Sequence, residues 1–271
     1  MSRPGDQRRG GPRFKKPPLR VFTTTLWEYP SQHYQSESGS LQGDPNYAGA
    51  TPSWVIWQVL TRYTREGDVV VDPMCGSGTT LDVCKDLGRR GIGFDLAPSR
   101  HDIARADARD VPLEDASADF VFVDPPYSTH IEYSDDPACI GKLDAAAGSA
   151  YFEAMDRVVQ ECWRILRNRR YMALYVSDSW RKRRGDAGAG GGVFMPIGFE
   201  LFAMLRRRFE PVDIIAVVRQ NQKLQRGNWH KAAQEQNFFL RGFNYLFIMK
   251  KVEEARGAEP PSRGRARQRG G

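Results

Sequence analysis

The sequence predicts an α/β fold: a mostly parallel sheet with helices on both faces. Three observations predict it. Short β-branched runs alternate with amphipathic stretches of helical length, which is the pattern of strand–helix–strand units. The clearest runs end in acidic, glycine-rich or proline-rich turns, where ligands of such sheets bind. The last two apolar runs are separated by polar residues without a long amphipathic helix, so they can pair antiparallel.

Taken in order, DVVVDP (68–73) is a strand that runs into a glycine-rich turn. TTLDVCKDLG (79–88) has helical spacing and stops at Gly88, and RGIGFDL (90–96) is a second strand. ADFVFVDPP (118–126) is a third strand, stopped by two prolines. SAYFEAMDRVVQECWRILR (149–167) places Tyr151, Met155, Val158, Val159, Cys162 and Ile165 on one helical face. YMALYVS (171–177), VDIIAVVR (212–219) and YLFIMKK (245–251) are further strands.

The chain has 271 residues, 40% of them hydrophobic and 11% aromatic, which suits a globular protein with a sizeable core. One folded domain is expected over 21–251, between two arms rich in Gly, Pro and Arg. Residues 1–20 carry +6, residues 252–271 carry +2, and the middle carries −1. Arms of this composition cannot bury a core and are expected to be disordered; they suit phosphate backbones or serve as solubilising ends. No run approaches the roughly eighteen apolar residues of a membrane span, and no apolar stretch backs the basic N-terminus. A cytoplasmic location is expected. Cys75, Cys84, Cys139 and Cys162 match no zinc spacing, so they are expected to be reduced thiols, and no metal is expected.

The first motif is VVVDPMCGSGTT (69–80). Gly76 and Gly78 allow a sharp turn and close approach of a ligand. Thr79 and Thr80 are placed to cap the next helix, whose first N–H groups would face that ligand. No GK[ST] follows, so this is not a phosphate loop, and Leu81 breaks the dinucleotide fingerprint. Asp95 ends the next strand, where an acid suits ribose hydroxyls, and Asp107 could accept from an adenine amino group. Three acids at successive strand ends, without a phosphate-binding lysine, favour a positively charged nucleoside such as S-adenosylmethionine. Each acid alone is more often a turn residue or a cap.

The second motif, FVFVDPPY (120–127), is the most specific feature of the chain. Consecutive prolines leave carbonyls that no N–H in the turn can satisfy. Asp124 and the Pro125 carbonyl could both accept from one amino group, turning its lone pair outward for in-line attack on a methyl group. Tyr127 offers a flat face for a base, which must first leave its stack if it lies in a duplex.

Together the motifs resemble the S-adenosylmethionine-dependent amino-methyltransferases of DNA, the N4-cytosine/N6-adenine family, from about Tyr47 to Lys251. The resemblance implies a Rossmann-like class I methyltransferase fold with an antiparallel last strand. It implies that Asp124, Pro125, Pro126 and Tyr127 hold the target amino group. It assigns Asp72, Gly76 and Gly78 to the methionine part of the cofactor, with Pro73 and Thr79 beside them, and Asp95 and Asp107 to the rest. The family's helix before the first motif matches GATPSWVIWQVLTRYT (49–64), with Thr51 capping and Pro52 at the first helical position.

The chain has no room for a large target-recognition domain, so loops are the candidates. Residues 128–150 hold His130, Tyr133 and Lys142. Residues 219–243 hold Arg219, Asn221, Arg226, Trp229 and His230, which suit base edges, phosphates and stacking. Residues 181–192 read as a basic loop or linker. Aspartate in the second motif leans toward adenine. Two alternatives stay open: an RNA methyltransferase acting on guanine N2 of transfer RNA, and a non-catalytic cofactor-binding scaffold. Cys75 follows Met74 inside the first turn, so no cysteine nucleophile is expected.

Overall fold

Alternating side chains along the central strands feed two separate apolar layers. In the computed structural model, residues 18–30, 42–44, 47, 49–127, 131, 133–146, 149–182, 192–219 and 227–253 are described. The first half runs β1 (Leu26–Trp27), α1 (Ser53–Tyr63), β2 (Val69–Asp72), α2 (Thr79–Asp86), β3 (Arg90–Asp95), β4 (Ile103–Arg105) and β5 (Ala118–Val123). The second half runs α3 (Ala150–Ile165), β6 (Leu166–Val176), β7 (Ser179–Lys182), β8 (Gly192–Met195), α4 (Ile197–Leu205), β9 (Glu210–Val218), α5 (Gly227–Glu235) and β10 (Phe243–Lys250).

Eight strands form one sheet in the order β1-β9-β10-β6-β5-β2-β3-β4. Neighbours are parallel except at β10, which lies antiparallel to both β6 and β9. This is the Rossmann-like architecture with an inverted last strand that the sequence predicts. From β2 the chain winds outward through β3 and β4, then crosses back to β5 and winds the other way. The carboxyl ends of β2 and β5 therefore flank the switch point, paired through Val70 and Phe120.

One apolar layer joins Val71, Val121, Val123, Met172 and Leu174 to α3 and α4. The other joins Val70, Phe120, Phe122, Ala173 and Tyr175 to α1 and α2. Helices thus cover both faces. Trp54, Phe120, Phe122, Tyr151 and Met155 are among the largest fully buried side chains. Burying each contributes about 1.5–3 kcal/mol, so the sheet is anchored mainly by these layers.

Several details differ from the sequence reading. Pro52, not Thr51, is the N-cap of α1, and Thr51 makes no cap bond. The N-cap of α2 is Gly78 in the left-handed region, with Thr79 and Thr80 inside the helix, so neither threonine caps it. A glycine there reaches φ 80 without strain, and the threonine hydroxyls are freed for other partners. Of the stretch 181–192, residues 181, 182 and 192 belong to β7 and β8, which pair antiparallel, and 183–191 lie outside the described residues. The 219–243 stretch contains α5, which buries no residue. Helix α4 was not read from the sequence, although Ile197, Leu201, Met204 and Leu205 repeat at helical spacing.

Candidate functional site

The glycine-rich turn is held by its own acids. Asp72, at the end of β2, accepts from the Met74 N–H (3.0 Å) and the Thr80 hydroxyl (2.5 Å). It is 4% exposed, and burial pushes its carboxyl up to about 7 against those two bonds, with the charge of Asp95 adding to the rise. Asp95, at the end of β3, accepts from the Gly76 and Ala97 N–H groups, both at 2.9 Å. Gly76 has φ 51, and a Cβ there would stand 3.0 Å from the Tyr47 hydroxyl oxygen. Gly78 is crowded by the Arg100 guanidinium, which pairs with Asp82 and Asp102. Asp107 is gripped by Arg109, which donates from its backbone N–H, Nε and Nη2. Burial works to raise the Asp107 carboxyl, but Arg109 outweighs it and holds it below the usual range.

The second turn follows β5. Asp124 accepts from two hydroxyls: Thr51 on one oxygen and Tyr127, at 2.7 Å, on the other. Burial pushes its carboxyl up to about 7 against both bonds, and the charge of Asp72 adds to the rise. The Pro126 carbonyl accepts from the buried Tyr151 hydroxyl of α3 at 2.8 Å. Tyr127 packs against the α3 layer, with its hydroxyl turned to Asp124.

Both turns open on one cavity of about 870 Å³, including its open mouth. Thr51, Asp72, Pro73, Gly76, Thr79, Asp95 and Asp107 line it, and so do Asp124 and Pro126. Pro125, Tyr127 and Gly78 are not among its lining residues; they shape the turns behind it. Four aspartates line the cavity, and no Lys, Arg or His does among the described residues. That balance suits a ligand with positive charge and hydrogen-bond donors, since each cation placed there relieves a buried acid.

Of the expected recognition residues, Tyr133 lines the cavity wall. Arg219 sits past the end of β9, where its guanidinium donates to the Ser177 hydroxyl at 3.3 Å. Trp229 and His230 lie on α5, outside the cavity lining. His130, Asn221 and Arg226 lie outside the described residues. Sequence reasoning missed Tyr47 and Tyr151. Burial, with the charges of Asp95 and Asp124, pushes Tyr47 up to about 12, so it stays a neutral donor over the glycine turn. Tyr151 was read only as a core position, and nothing in its helical spacing announces a bond to Pro126. The four cysteines are buried free thiols. Among the described residues no group of metal-binding side chains occurs, and no helix is long and apolar enough to cross a membrane.

The sheet order and the acid-lined cavity at its switch point define a Rossmann-like domain of methyltransferase topology. Comparison with known proteins agrees. A family model described as DNA methylase, for the N6/N4 methyltransferases, matches residues 6–106, which include Thr51 and the whole glycine-rich turn. The chain is 36% identical over 89 residues to the type II methyltransferase M.BamHI of Bacillus amyloliquefaciens, covering 32% of this chain and 19% of that protein. It is 44% identical over 54 residues to the type II methyltransferase M2.DpnII of Streptococcus pneumoniae, covering 20% of each. The chain thus spans about a fifth of the length of these curated relatives. The resemblance to the DNA amino-methyltransferase family is thereby borne out over residues 6–106. Among solved structures, a putative DNA modification methylase of Thermus thermophilus complexed with S-adenosyl-L-methionine aligns at TM-score 0.37 and 19% identity, over 57% of this chain and 56% of that one. The cyclase SpnF aligns at TM-score 0.46 and 16% identity, over 78% and 87%.

Proposed function

We propose that this chain is an S-adenosylmethionine-dependent methyltransferase that methylates adenine N6 or cytosine N4 in DNA, by direct transfer to a base flipped out of its stack. The observation that carries the reading is the shared cavity: the glycine-rich turn and Asp124 open on it together, and among the described residues aspartates are its only charged lining. The residues fit the cofactor. Asp72 is buried without a cationic partner in its hydrogen bonds, which suits a site that takes up positive charge. The start of α2 offers N–H groups to a carboxylate, and Asp95 stands where ribose hydroxyls would reach it.

In this reading Thr51, Asp72, Pro73, Gly76, Gly78, Thr79, Asp95 and Asp107 hold or shape the donor site. Asp124 and Pro126 face the target amino group, and Pro125 and Tyr127 shape the turn that presents them. His130, Tyr133, Arg219, Asn221, Arg226, Trp229 and His230 serve the nucleic acid. When bound, the cofactor supplies a sulfonium-activated methyl group. A carboxylate has about four acceptor sites, and the two hydroxyls on Asp124 leave two for an incoming amino group. Thr51 and Tyr127 fix the plane of that carboxylate, so the amino lone pair points into the cavity. On receiving a methyl group the target nitrogen would shed a proton, which Asp124 is placed to take. The catalytic domain spans 21–251, the basic arms serve phosphate backbones, and the location is cytoplasmic.

The test is mass spectrometry of nucleosides from DNA and RNA treated with the protein and labelled cofactor. N6-methyladenine or N4-methylcytosine from DNA is expected; label in RNA alone overturns the reading. Asp124→Ala should lower turnover about 10³-fold while cofactor still binds, as expected when a group acts mainly in the chemical step. Loss of cofactor binding as well would make Asp124 a structural residue.

A further inference from the structure

A group of aromatic rings lies exposed at the same end of the sheet as the two turns. Trp180 on β7 faces Phe194 on β8 across the hairpin, with ring centroids 5.4 Å apart. The two are 39% and 40% exposed. The Arg241 guanidinium lies 5.6 Å from the Trp180 ring and 4.7 Å from the Phe194 ring, and its Nε is buried without a hydrogen-bond partner. Beside it Phe199 is 63% exposed and Phe243 is 44% exposed, both edge-on to Tyr245. Asp178 ties the groups together, accepting from the Tyr245 hydroxyl and the Gly198 N–H.

The register places this ledge beside the catalytic turn. β5 and β6 are neighbours, with Val123 opposite Leu174, so Asp124 emerges next to Tyr175. Trp180 follows only five residues later. One strand spacing of about 5 Å plus five extended residues gives a separation under roughly 22 Å, well within one turn of a DNA duplex at about 34 Å.

Exposed rings of this size are stabilised when covered, so a cluster marks a contact surface. Charge selects the occupant. Arg241 tops the rings, and Asp178 already accepts two hydrogen bonds. Flat apolar faces beside a guanidinium match a polymer with exposed base faces and phosphates. We propose that the β7–β8 hairpin and Arg241 form a docking ledge for DNA, on which Trp180 and Phe194 stack against bases unstacked beside the flipped target and Arg241 holds a neighbouring phosphate. This rests on the methyltransferase reading above and adds where the polymer lies.

The experiment uses the full chain and a fluorescent DNA duplex. Trp180→Ala with Phe194→Ala should weaken duplex binding at least tenfold and leave cofactor affinity unchanged. Arg241→Gln should lower the slope of log affinity against log salt by about one. Unchanged DNA affinity and salt slope overturn the ledge. The intact chain supplies a second measurement: ultraviolet crosslinking to bromodeoxyuridine-substituted duplex should label the peptides holding Trp180 and Phe194. Adducts confined to residues 131–146 overturn the ledge even where a variant fails to fold. If the intact chain neither binds nor methylates duplex DNA, the methyltransferase reading falls instead. DNA methylation by the intact chain with no effect of either substitution sinks the ledge alone.

Discussion

At the amino end of the sheet, buried Asp119 accepts from Arg167 (2.5 Å), Arg170 (3.1 Å) and the Val69 N–H (2.9 Å). At the carboxyl end, Asp72 and Asp124 are held by hydroxyls, with one N–H on Asp72, and no guanidinium. Burial works to raise all three carboxyls. Arg167, Val69 and Arg170 outweigh it at Asp119 and hold that group below the usual range, whereas Asp72 and Asp124 rise to about 7. The same residue type is therefore a finished structural joint at one end and an unfinished electrostatic site at the other. The contrast separates acids neutralised by guanidinium groups within the fold from acids that line a cavity without one.

The largest effect should come from dismantling the finished end. Arg167→Ala with Arg170→Ala strands Asp119 with a single N–H and should cost about 3–5 kcal/mol in urea unfolding, with cofactor affinity unchanged. A loss of cofactor binding in the folded variant would break the contrast. Next, Asp72→Asn should weaken cofactor binding about 30–100-fold by calorimetry, since a neutral amide cannot compensate positive charge. The intact protein should also bind cofactor more tightly as pH rises from about 6 to 8, because Asp72 ionises near 7. The part of that dependence owed to Asp72 should vanish in the variant, leaving the part owed to Asp124.

A smaller effect is expected at Thr51. Thr51→Val removes the hydroxyl on Asp124 but keeps the shape, and turnover should fall about tenfold, more than cofactor affinity does. Thr51→Ser should restore it; a cofactor defect in place of a turnover defect would confine Thr51 to the donor side. The smallest effect is on stability against pH, where the two ends carry opposite signs. Asp119, held low, stabilises the fold above its unfolded value near 4, and that contribution fades as pH falls. Asp72 and Asp124, raised to about 7, contribute most below about 4, and their contribution is lost as pH rises through 7. Asp124→Asn should therefore keep a few degrees more of its Tm than the intact chain between pH 5 and 8. Identical slopes would mean that Asp124 is less desolvated than its surroundings imply.

Much of the fold was legible because its signals are local. Val70 and Val71, or Phe120 and Val121, alternate between the two apolar layers, and Tyr151, Met155, Val158 and Cys162 repeat at helical spacing. β1 and β4 went unread because two or three residues carry no period. The inner half of the site was legible for the same reason: Asp72, Gly76, Gly78 and Asp124 sit in turns whose chemistry is written within a dozen residues. Thr51 was placed in the right region with the wrong partner. A cap is judged from its neighbours, whereas its actual partner is 73 positions away.

The sequence by itself determined the strands, the helices on both faces, the two turns and the kind of groups they carry. Periodicity and turn chemistry act over a few residues, so one chain suffices to read them. The tertiary structure decided which turns share a cavity, because only the strand order sets β2 beside β5. It decided which acids meet an arginine and which meet only hydroxyls or amides, and it paired the strands flanking a basic stretch so that two rings face each other. Those outcomes depend on partners tens of residues away, and burial then converts each pairing into charge, stability or readiness for a ligand.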